Sequence, residues 1–509
     1  MVQDKRGTTI QTNFMNRRTA AVIGAGIGGI AAAIRLANKG FKVTVFEANS
    51  YPGGKLSEFE LDGYRFDAGP SLFTMPQYVE ELFVLSRRNP ANYFVYGRLP
   101  VVCEYFYEDG THIRAYADKE KFASEIELKT GQSKKSVLDY LKQSAFKYNI
   151  AANLFLHRSL HKISTWLNGD AFRGYWNLPK LDVFSTMNQV NERRFQDPRI
   201  VQLFNRYATY NGSDPYQTPG IMNIIPHLEY EIGAFFPAKG MFDITRSLVS
   251  LAEDLGILFF YNTRVNEVVV LNGRAAGVRL ENADGRPAPT YESFDTVVSN
   301  MDVVNTYRKL LPGVQAPTRT LDQPKSSSAL IFYWGIRKAF FELDLHNIFF
   351  SEDYRHEFDC LFNRRTISHD PTVYVNITSK YKPDDAPPGC ENWFTMINVP
   401  NNSGQDWDGL VNEARRNIRA KLNRILKTDI SKFIVCEHIL DPRSIEARTS
   451  SSQGALYGTS SNNRYAAFLR HDNKSSRVKN LYFVGGSVHP GGGIPLSLLS
   501  AKIAVEMVE

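Results

Sequence analysis

One segment near the start of the chain restricts the possible folds more than any other part of the sequence. A short apolar strand is predicted over 19–23, and the residues directly after it fit the pattern G-x-G-x-x-G. Apolar residues then recur at helical spacing as far as Gly40, a residue typical of a helix end. A second strand, 42–46, ends in Glu47. Strand, glycine turn, helix and strand in this order predict a parallel sheet covered by a helix.

The glycine pattern and the acid after the second strand together predict a dinucleotide site. Gly24 permits a tight turn, Gly26 lets a pyrophosphate approach the backbone, and Gly29 lets the helix pack closely on the sheet. The free N–H groups and the positive dipole end of the helix then bind phosphate. Glu47 stands where a carboxylate accepts hydrogen bonds from ribose hydroxyls. The alternative is a tight turn that binds no ligand.

Three later features favour a flavin dinucleotide over NAD. A second glycine pair with a lysine follows at 53–55, and a loop of small residues follows at 66–72. Near the C-terminus a strand again leads into glycines and a helix, at 484–495. A helix N-terminus there could stabilise negative charge on a reduced flavin ring. The sequence holds one dinucleotide fingerprint, whereas an enzyme that reduces its flavin with a nicotinamide often carries two.

The order of elements predicts an α/β fold, α+β overall, with several domains. The two ends of the chain repeat the same strand–glycine–helix arrangement, so we expect a discontinuous Rossmann-like domain for the flavin dinucleotide. It comprises residues 19–80, 230–310 and 450–509. Residues 81–229 hold little strand pattern and are predicted to be a helical substrate and membrane-binding region. The strands of 311–449 are predicted to form a mixed sheet that binds substrate.

The positive charge of the chain is concentrated in one segment. The 509 residues include 60 Lys and Arg and 53 Asp and Glu, a formal net charge of +7. Between Lys129 and Lys180, nine residues are basic and two are acidic, an excess equal to the charge of the whole chain. Aromatic and apolar residues are interspersed, which is typical of a surface that binds anionic lipid. A solvated basic face over a core helix is the alternative, and no nucleic-acid-binding module accompanies the charge.

The sequence shows neither a targeting signal nor a metal-binding pattern. The first 18 residues lack the apolar core of a secretory signal, and no run approaches the ~18 apolar residues that span a bilayer. The four cysteines lie at least 30 residues apart, which excludes a closely spaced zinc or redox pair. His157 and His161 have the spacing of a zinc pair, but no third ligand is evident. We therefore expect a cytoplasmic protein, peripherally associated with the membrane, that binds no metal.

Further segments, taken with the glycine patterns, make the chain resemble the bacterial phytoene desaturase family over nearly its full length. These segments are 206–212 (RYATYNG), 237–241 (PAKGM), 386–392 (APPGCEN) and 485–495 (GGSVHPGGGIP). Within that family, the hydroxycarotenoid 3,4-desaturase branch looks similar to residues 46–48, 54–57 and 67–73. The resemblance implies FAD as the cofactor and a carotenoid, a lipid-soluble polyene, as the substrate.

The resemblance also implies which residues contact the FAD. Lys55, Ser71 and Leu72 match loops around the ribityl and flavin groups, and Val265 matches the strand whose backbone meets the adenine. Arg470 departs from the family pattern, because His471 follows it where the family often has proline. The cofactor-binding residues predicted in this way are Gly24, Ala25, Gly26, Ile27, Gly28, Gly29, Glu47, Gly54, Lys55, Ser71, Leu72, Val265, Asn300, Leu456, Gly486, Gly493, Ile494 and Pro495.

The chemistry that the resemblance implies needs little from the protein's side chains. Carotenoid desaturation removes a hydride and a proton from adjacent carbons, and the flavin N5 accepts the hydride. Hydride loss beside a polyene leaves a delocalised cation whose neighbouring proton is acidic, so a weak base suffices. The sequence names no such base and no catalytic residue. We expect the protein to hold one C–H bond near N5 in a dry tunnel, and oxygen or a membrane quinone to reoxidise the flavin.

The predicted function is 3,4-desaturation of a 1-hydroxylated acyclic or monocyclic carotenoid, and three alternatives stay open. They are a phytoene desaturase, a flavin amine oxidase and a non-enzymatic isoprenoid carrier of related fold. Amine oxidases tend to place Glu where this chain has Ser487, and the intact glycine clusters argue against a carrier. Arg206 and Tyr210 are candidates for the channel wall or for a buried structural pair. His489 is a candidate for acid–base work or for shaping the backbone.

Overall fold

The computed structural model describes residues 17–281, 287–462 and 470–509, and its first sheet has five parallel strands. Strands from both ends of the chain join this sheet: the first strand pairs with an early strand and with one from the middle of the chain, and that middle strand pairs with the last strand. In spatial order the strands are Leu481–Phe483, Thr296–Ser299, Thr19–Ile23, Lys42–Phe46 and Leu258–Phe260. The α/β class and the Rossmann-like arrangement built from both termini are confirmed.

Two apolar helices pack on this sheet and on each other. Ile27–Asn38 begins just after the first strand, and Ile494–Glu506 begins after the last strand. Every residue from Ile27 to Leu36 is buried, so the first helix lies inside the molecule and has no wide polar face. The glycine turns that precede both helices are therefore held at the same edge of the sheet, where the strands end.

A second sheet has three antiparallel strands, Val265–Leu271, Arg274–Glu281 and Pro287–Ser293. Its first turn contains Asn272 and Gly273, with φ of 52° and 73°. Two consecutive left-handed residues match the twist of a hairpin, so the hairpin that the sequence Leu-Asn-Gly predicts here is confirmed. The sequence Ala-Asp-Gly at 283–285 also predicts a hairpin turn, and it lies outside the described residues.

The largest sheet has seven strands. In spatial order they are Ile434–Leu440, Ser328–Ile336, Glu391–Val399, Val373–Ile377, His346–Phe349, Val101–Phe106 and His112–Tyr116. Neighbours are antiparallel except at the junction of the fifth and sixth strands, which is parallel. The helix Trp407–Ile425 packs on one face of the sheet. The opposite face lines the cavity described below.

Residues 81–229 are less uniformly helical than the sequence predicts. Three strands lie in this region: Tyr96–Arg98, Val101–Phe106 and His112–Tyr116. The last two extend the seven-stranded sheet. A buried carboxylate, Glu104, interrupts the apolar pattern of the strand Val101–Phe106. It pairs with His112 and Arg114 on the neighbouring strand. A charged residue therefore occupies a fully buried position of Val101–Phe106 that an apolar residue would ordinarily fill.

Shorter elements connect the sheets. Two ribbons pair Glu58–Leu61 with Tyr64–Asp67 and Tyr96–Arg98 with Phe235–Pro237. The other helices of eight or more residues are Gln77–Leu85, Lys119–Thr130, Lys134–Phe155, Gly169–Asn177, Met187–Arg194, Pro198–Asn205, Asp243–Asp254 and Pro442–Thr449. Short helices are Ile163–Trp166, Ile225–His227, Val303–Asn305, Thr318–Leu321 and Tyr354–Asp359. In the described part of the chain, every helix is too short or too polar to cross a membrane.

Candidate functional site

One large cavity connects the glycine clusters with the seven-stranded sheet. Its volume is about 580 Å³, which is the size of a site for an organic ligand. We call one end, lined by Gly24, Glu47 and the C-terminal glycines, the glycine end. We call the other, lined by the open face of the seven-stranded sheet and by Arg206 and Glu229, the sheet end.

The backbone approaches itself closely at the first glycine turn. Gly24 has a φ of 94°, and its N–H donates to the Phe46 carbonyl at 2.8 Å, which ties the turn to the second strand. A Cβ atom on Gly29 would lie 2.1 Å from the Gly24 carbonyl oxygen. A Cβ atom on Gly26 would lie 2.5 Å from Asn300 Oδ1. The turn therefore needs glycine at these positions for packing alone.

Amide donors fix the carboxylate of Glu47 at the end of the second strand. The N–H of Ala25 donates to Oε2 at 2.7 Å, and the N–H and Nδ2 of Asn49 donate to Oε1 at 2.9 and 2.8 Å. Glu47 also lines the cavity. Because a carboxylate offers about four acceptor positions, Glu47 has capacity for a further donor, such as a ribose hydroxyl.

Two helices begin at the glycine end without a cap. Neither Ile27–Asn38 nor Ile494–Glu506 receives a side-chain cap from the described residues, and neither has an acid in its first turn. Helix N-termini have unpaired N–H groups and a partial positive charge. A Cβ atom on Gly493 would meet none of the described atoms within 4 Å, so there is space before the second helix. Both N-termini therefore suit anionic ligand groups.

Asn300 joins the two glycine clusters. Its Nδ2 donates to the Val484 carbonyl at 3.2 Å. A Cβ atom on Gly485 would lie 2.5 Å from this nitrogen, and one on Gly28 would lie 3.0 Å from it. The Asn300 side chain thus fills the gap between the two turns and holds them at a fixed separation.

Lys55 is partly buried at the glycine end. Its Nζ donates to the carbonyls of Ala455 and Leu456 at 3.1 and 2.8 Å. Burial lowers the pKa of Lys55 from 10.5 to about 8, although the charge of Asp302 opposes the shift. Burial also raises the pKa of Asp302, although the charge of Lys55 opposes this shift. An anionic ligand beside this lysine would raise its pKa and so favour the protonated form.

All of the predicted cofactor-binding residues except Ala25 and Gly29 line this one cavity. Those two residues support the first turn from behind, Ala25 through its hydrogen bond to Glu47 and Gly29 through its close packing. The sequence reasoning missed Asn49 and Asp302, which also line the cavity. Asn49 donates to the Glu47 carboxylate two residues before it, and Asp302 accepts from the N–H of Val304 two residues after it.

These features fit FAD. The glycine end supplies a carboxylate for a ribose, two uncapped helix N-termini for charged groups and a lysine with a lowered pKa. The same cavity continues into the sheet end, so a bound dinucleotide and a second ligand would share one space.

The wall of the sheet end is mostly apolar. Side chains along a strand point to opposite faces in turn, and one face of the seven-stranded sheet lines the cavity. Residues contributed by this sheet are Val102, Cys103, Ala329, Ile331, His346, Ile348, Tyr374, Phe394, Met396, Asn398 and Leu440. Such a wall suits a hydrophobic ligand.

A buried ion pair interrupts this apolar wall. Nη2 of Arg206 lies 3.5 Å from Oε2 of Glu229 and donates to the Tyr105 hydroxyl at 2.6 Å. The Tyr207 hydroxyl donates to Glu229 Oε2 at 2.5 Å, and the Tyr210 hydroxyl donates to Oε1. We call these five residues the ion-pair cluster. Arg206 and Tyr210 thus both line the channel and form a partly buried hydrogen-bonded pair.

A chain of hydrogen bonds runs from the glycine end into the sheet end. Ser71 Oγ lies 2.8 Å from the Tyr374 hydroxyl, which lies 2.7 Å from His346 Nδ1. Burial lowers the pKa of His346 to about 3, and the charge of Arg206 lowers it too. The imidazole is therefore neutral. Its other nitrogen, Nε2, is buried and has no hydrogen-bond partner among the described residues.

The two histidines at zinc-like spacing do not share a helix face. The helix ends at Phe155, so His157 and His161 lie in the turns that follow. His157 Nε2 lies 3.3 Å from the Tyr78 hydroxyl, and His161 Nε2 lies 2.9 Å from the Arg470 carbonyl. Within the ranges that the structure describes, no group of His, Cys, Asp and Glu is arranged to hold a metal.

His489 and Arg470 support the C-terminal glycine cluster through backbone atoms. His489 Nε2 lies 2.8 Å from the Arg158 carbonyl, and burial lowers the pKa of His489 to about 4. Arg470 Nη1 donates to the Tyr457 carbonyl at 2.7 Å and approaches the Gly486 carbonyl at 3.4 Å. These contacts favour the backbone-shaping interpretation of His489.

Five of the nine cations in the basic segment 129–180 lie beside acidic side chains. Lys147 is 1% exposed, and its Nζ lies 2.7 Å from Asp182, an acid just beyond the segment. Four further cations have acidic partners: Lys129, Lys134, Lys142 and Arg158. Large apolar side chains nearby are also strongly exposed: Ile163, Leu167, Phe172, Trp176 and Phe184.

Comparisons with known proteins agree on a flavin-dependent fold. Residues 27–508 match the family model described as flavin containing amine oxidoreductase. The chain is 49% identical to the 1-hydroxycarotenoid 3,4-desaturase of Flavobacterium sp. (strain P99-3), over 96% of this chain and 99% of that protein. It is 33% identical to the 4,4'-diapolycopene oxygenase of Methylomonas sp, over 97% and 99%. An oxidoreductase structure from Methanosarcina mazei has a TM-score of 0.62 at 15% identity, over 96% of this chain and 100% of that chain, which shows the fold alone.

Proposed function

The chain belongs to the family of flavin-containing amine oxidoreductases, and from this premise we propose that it is an FAD-dependent desaturase of the 3,4 bond of a 1-hydroxylated carotenoid. The observation that carries the proposal is the 49% identity to a 1-hydroxycarotenoid 3,4-desaturase over nearly the whole of both proteins. The resemblance to carotenoid desaturases that the sequence segments indicate is thereby confirmed.

The shape of the cavity supports this function. A dinucleotide at the glycine end would have its pyrophosphate at the N-terminus of Ile27–Asn38 and its ribose at Glu47. Lys55 and Ser71 would lie nearer the flavin, where the cavity opens into the apolar sheet end. When bound, FAD accepts a hydride from the substrate at its N5 position.

The residues of the chain then have three tasks. The apolar side chains of the seven-stranded sheet exclude water from the polyene. The ion-pair cluster pairs its own charges, so the channel wall presents no uncompensated charge to a hydrocarbon. The glycine turns and Asn300 hold the cofactor end rigid, which fixes the position that the reacting C–H bond must reach.

Two finer parts of the proposal concern partners. We propose that oxygen or a membrane quinone accepts the electrons, because the sequence carries one dinucleotide fingerprint. Anaerobic turnover with and without an added quinone separates these acceptors.

We also propose that the exposed apolar side chains of 163–184 dock the protein on a membrane surface. Trp176 is 88% exposed, and exposed aromatic and aliphatic side chains in one segment are typical of interfacial contacts. Because five of the nine basic residues nearby have acidic partners, the apolar side chains should contribute more than charge. Trp176→Ser with Phe172→Ser should weaken sedimentation with anionic liposomes more than Lys135→Gln does. Equal binding of both variants would contradict this.

Product analysis tests the function itself. The flavin-loaded protein is incubated with a 1-hydroxylated acyclic carotenoid, with phytoene, and with a polyene bearing unmodified terminal methyl groups. We expect chromatography and mass spectrometry to show loss of two hydrogens from the hydroxylated substrate. Conversion of phytoene alone would support a phytoene desaturase, and addition of oxygen would support an activity like that named for the 33% relative. Oxidation of amines with no change in any polyene would overturn the proposal.

A further inference from the structure

We propose that His346 donates a hydrogen bond from Nε2 to the hydroxyl group of the substrate, and so selects hydroxylated over unhydroxylated polyenes. The inference rests on the proposed function and names the residue that would recognise the substrate's one polar group. It starts from a buried polar atom that lacks a partner in a cavity whose wall is otherwise mostly apolar.

The hydrogen bonds of His346 determine which of its nitrogens is the donor. Asn376 Nδ2 donates to the Leu345 carbonyl at 2.9 Å and lies 3.2 Å from His346 Nδ1. An amide NH₂ has two hydrogens and no lone pair to offer, so Nδ1 accepts the second one. Nδ1 also lies 2.7 Å from the Tyr374 hydroxyl. A neutral imidazole carries one proton, and with Nδ1 an acceptor that proton is on Nε2.

An unpaired donor in this position calls for an acceptor supplied by a ligand. His346 is 4% exposed and lines the cavity, and buried polar groups are almost always hydrogen-bonded. The neighbouring side chains Tyr374 and Asn376 contact the other nitrogen, Nδ1, and no acceptor among the described residues reaches Nε2. A carboxylate acceptor is disfavoured because its burial would need a cation, and Arg206 is already paired with Glu229. A neutral hydroxyl oxygen meets the requirement.

His346 is connected by two hydrogen bonds to Ser71, a residue of the loop that the family resemblance matches to the flavin region. The name of the 49% relative places a hydroxyl on carbon 1 and the reaction between carbons 3 and 4. The group that binds this hydroxyl must therefore lie within a few bonds' length of the place where hydride is removed. Ser71, in the loop assigned to the flavin, connects to His346 through the single side chain of Tyr374. The fixed chain of Ser71, Tyr374 and His346 would then place carbons 3 and 4 beside the cofactor.

The experiment compares two substrates that differ in one hydroxyl. kcat/KM is measured for a 1-hydroxylated carotenoid and for the same polyene without the hydroxyl, with wild type, His346→Phe and His346→Gln. His346→Phe keeps a ring but removes the donor, so we expect kcat/KM for the hydroxylated substrate to fall about tenfold or more, the size of one lost hydrogen bond. The unhydroxylated substrate should be affected less than threefold. Glutamine retains an N–H donor at similar reach, and His346→Gln should restore part of the selectivity.

A neighbouring variant and two further measurements separate the possible outcomes. Ile348→Val alters the same strand and the same wall, and should lower kcat/KM for both substrates by a similar factor. Flavin content, flavin absorption and quenching of tryptophan fluorescence by each polyene are measured on every variant. A shifted flavin spectrum in substrate-free His346→Phe would show that the cofactor is the acceptor, which overturns the inference. An unchanged selectivity ratio would also overturn it and leave the desaturase function intact, whereas absence of turnover by wild type with both polyenes overturns the function.

Discussion

The glycine end and the sheet end of the cavity hold their polar groups in contrasting ways. At the glycine end most donors are backbone N–H groups, presented by the turns 24–29 and 485–493 and by two helix N-termini. At the sheet end the polar atoms belong to side chains, and the segments that supply them lie far apart in the sequence. One end is built from local backbone geometry, and the other from long-range side-chain pairing.

This difference determines how each end can fail. Backbone groups at the glycine end are fixed by close approach, so a single added methyl group displaces the turn. The ion-pair cluster at the sheet end depends on mutual compensation of charge, so its weak point is the loss of one partner. We therefore expect substitutions that add bulk to disrupt the turns of the glycine end. Substitutions that remove one charged partner should destabilise the sheet end.

The largest effect is expected for Gly29→Ala. Its Cβ atom would lie 2.1 Å from the Gly24 carbonyl oxygen, and a backbone atom cannot move aside as a side-chain terminus can. We expect purified Gly29→Ala to contain little or no flavin, measured by visible absorbance after gel filtration. Gly97→Ala is the matched control, because a Cβ atom there meets none of the described atoms within 4 Å. Normal flavin content in Gly29→Ala would show that the turn tolerates displacement and would remove the contrast between the two ends.

The next largest effect is expected for Arg206→Met. The substitution leaves Glu229 buried with its charge uncompensated, although two tyrosine hydroxyls still donate to it. We expect the free energy of unfolding to fall by about 3–5 kcal/mol in urea titrations. Arg206→Met with Glu229→Leu removes both charges and should recover more than half of that loss. Equal destabilisation by the single and the double variant would indicate that packing, and not charge compensation, maintains the sheet end.

The contrast also explains how much of the site could be predicted from the sequence. Gly24, Gly26, Gly29 and Glu47 form one strand–helix–strand unit, so the pattern itself carries their arrangement. The structure places all of them at one edge of the parallel sheet. The hairpin at 271–273 was equally predictable, because Asn-Gly imposes a local turn.

The sheet end could not be predicted in this way, because its interacting residues are brought together only by the tertiary structure. Tyr105 and Arg206 are brought together by a strand that the sequence pattern did not reveal. His346 and Tyr374 are paired by strand register, and nothing local in the sequence distinguishes them from other polar strand residues. Lys147 shows the same limit on the surface, since its apparent free charge is cancelled by Asp182, which lies outside the basic segment.

The smallest expected effect concerns Lys55, a lysine at the glycine end whose pKa depends on burial. Burial lowers its pKa in the folded protein from 10.5 to about 8. Between these two pH values the unfolded chain binds a proton that the folded chain does not, so Lys55 makes the wild type more stable as pH rises. Lys55→Met lacks this contribution, although it also leaves the Ala455 and Leu456 carbonyls without their donor at every pH.

The pH dependence, and not the stability at one pH, therefore measures the desolvation of Lys55. The quantity to measure in flavin-free protein is the unfolding free energy of Lys55→Met minus that of wild type. We expect this difference to fall by about 1 kcal/mol between pH 8 and 10.5. This is less than the full pKa shift would give, because solvent screens a partly exposed side chain. Lys135→Met, at an exposed site, should give a constant difference over the same range. A constant difference for Lys55→Met would mean that its ammonium group is solvated like that of a surface lysine. The glycine end would then rely on its backbone amides and Glu47 alone.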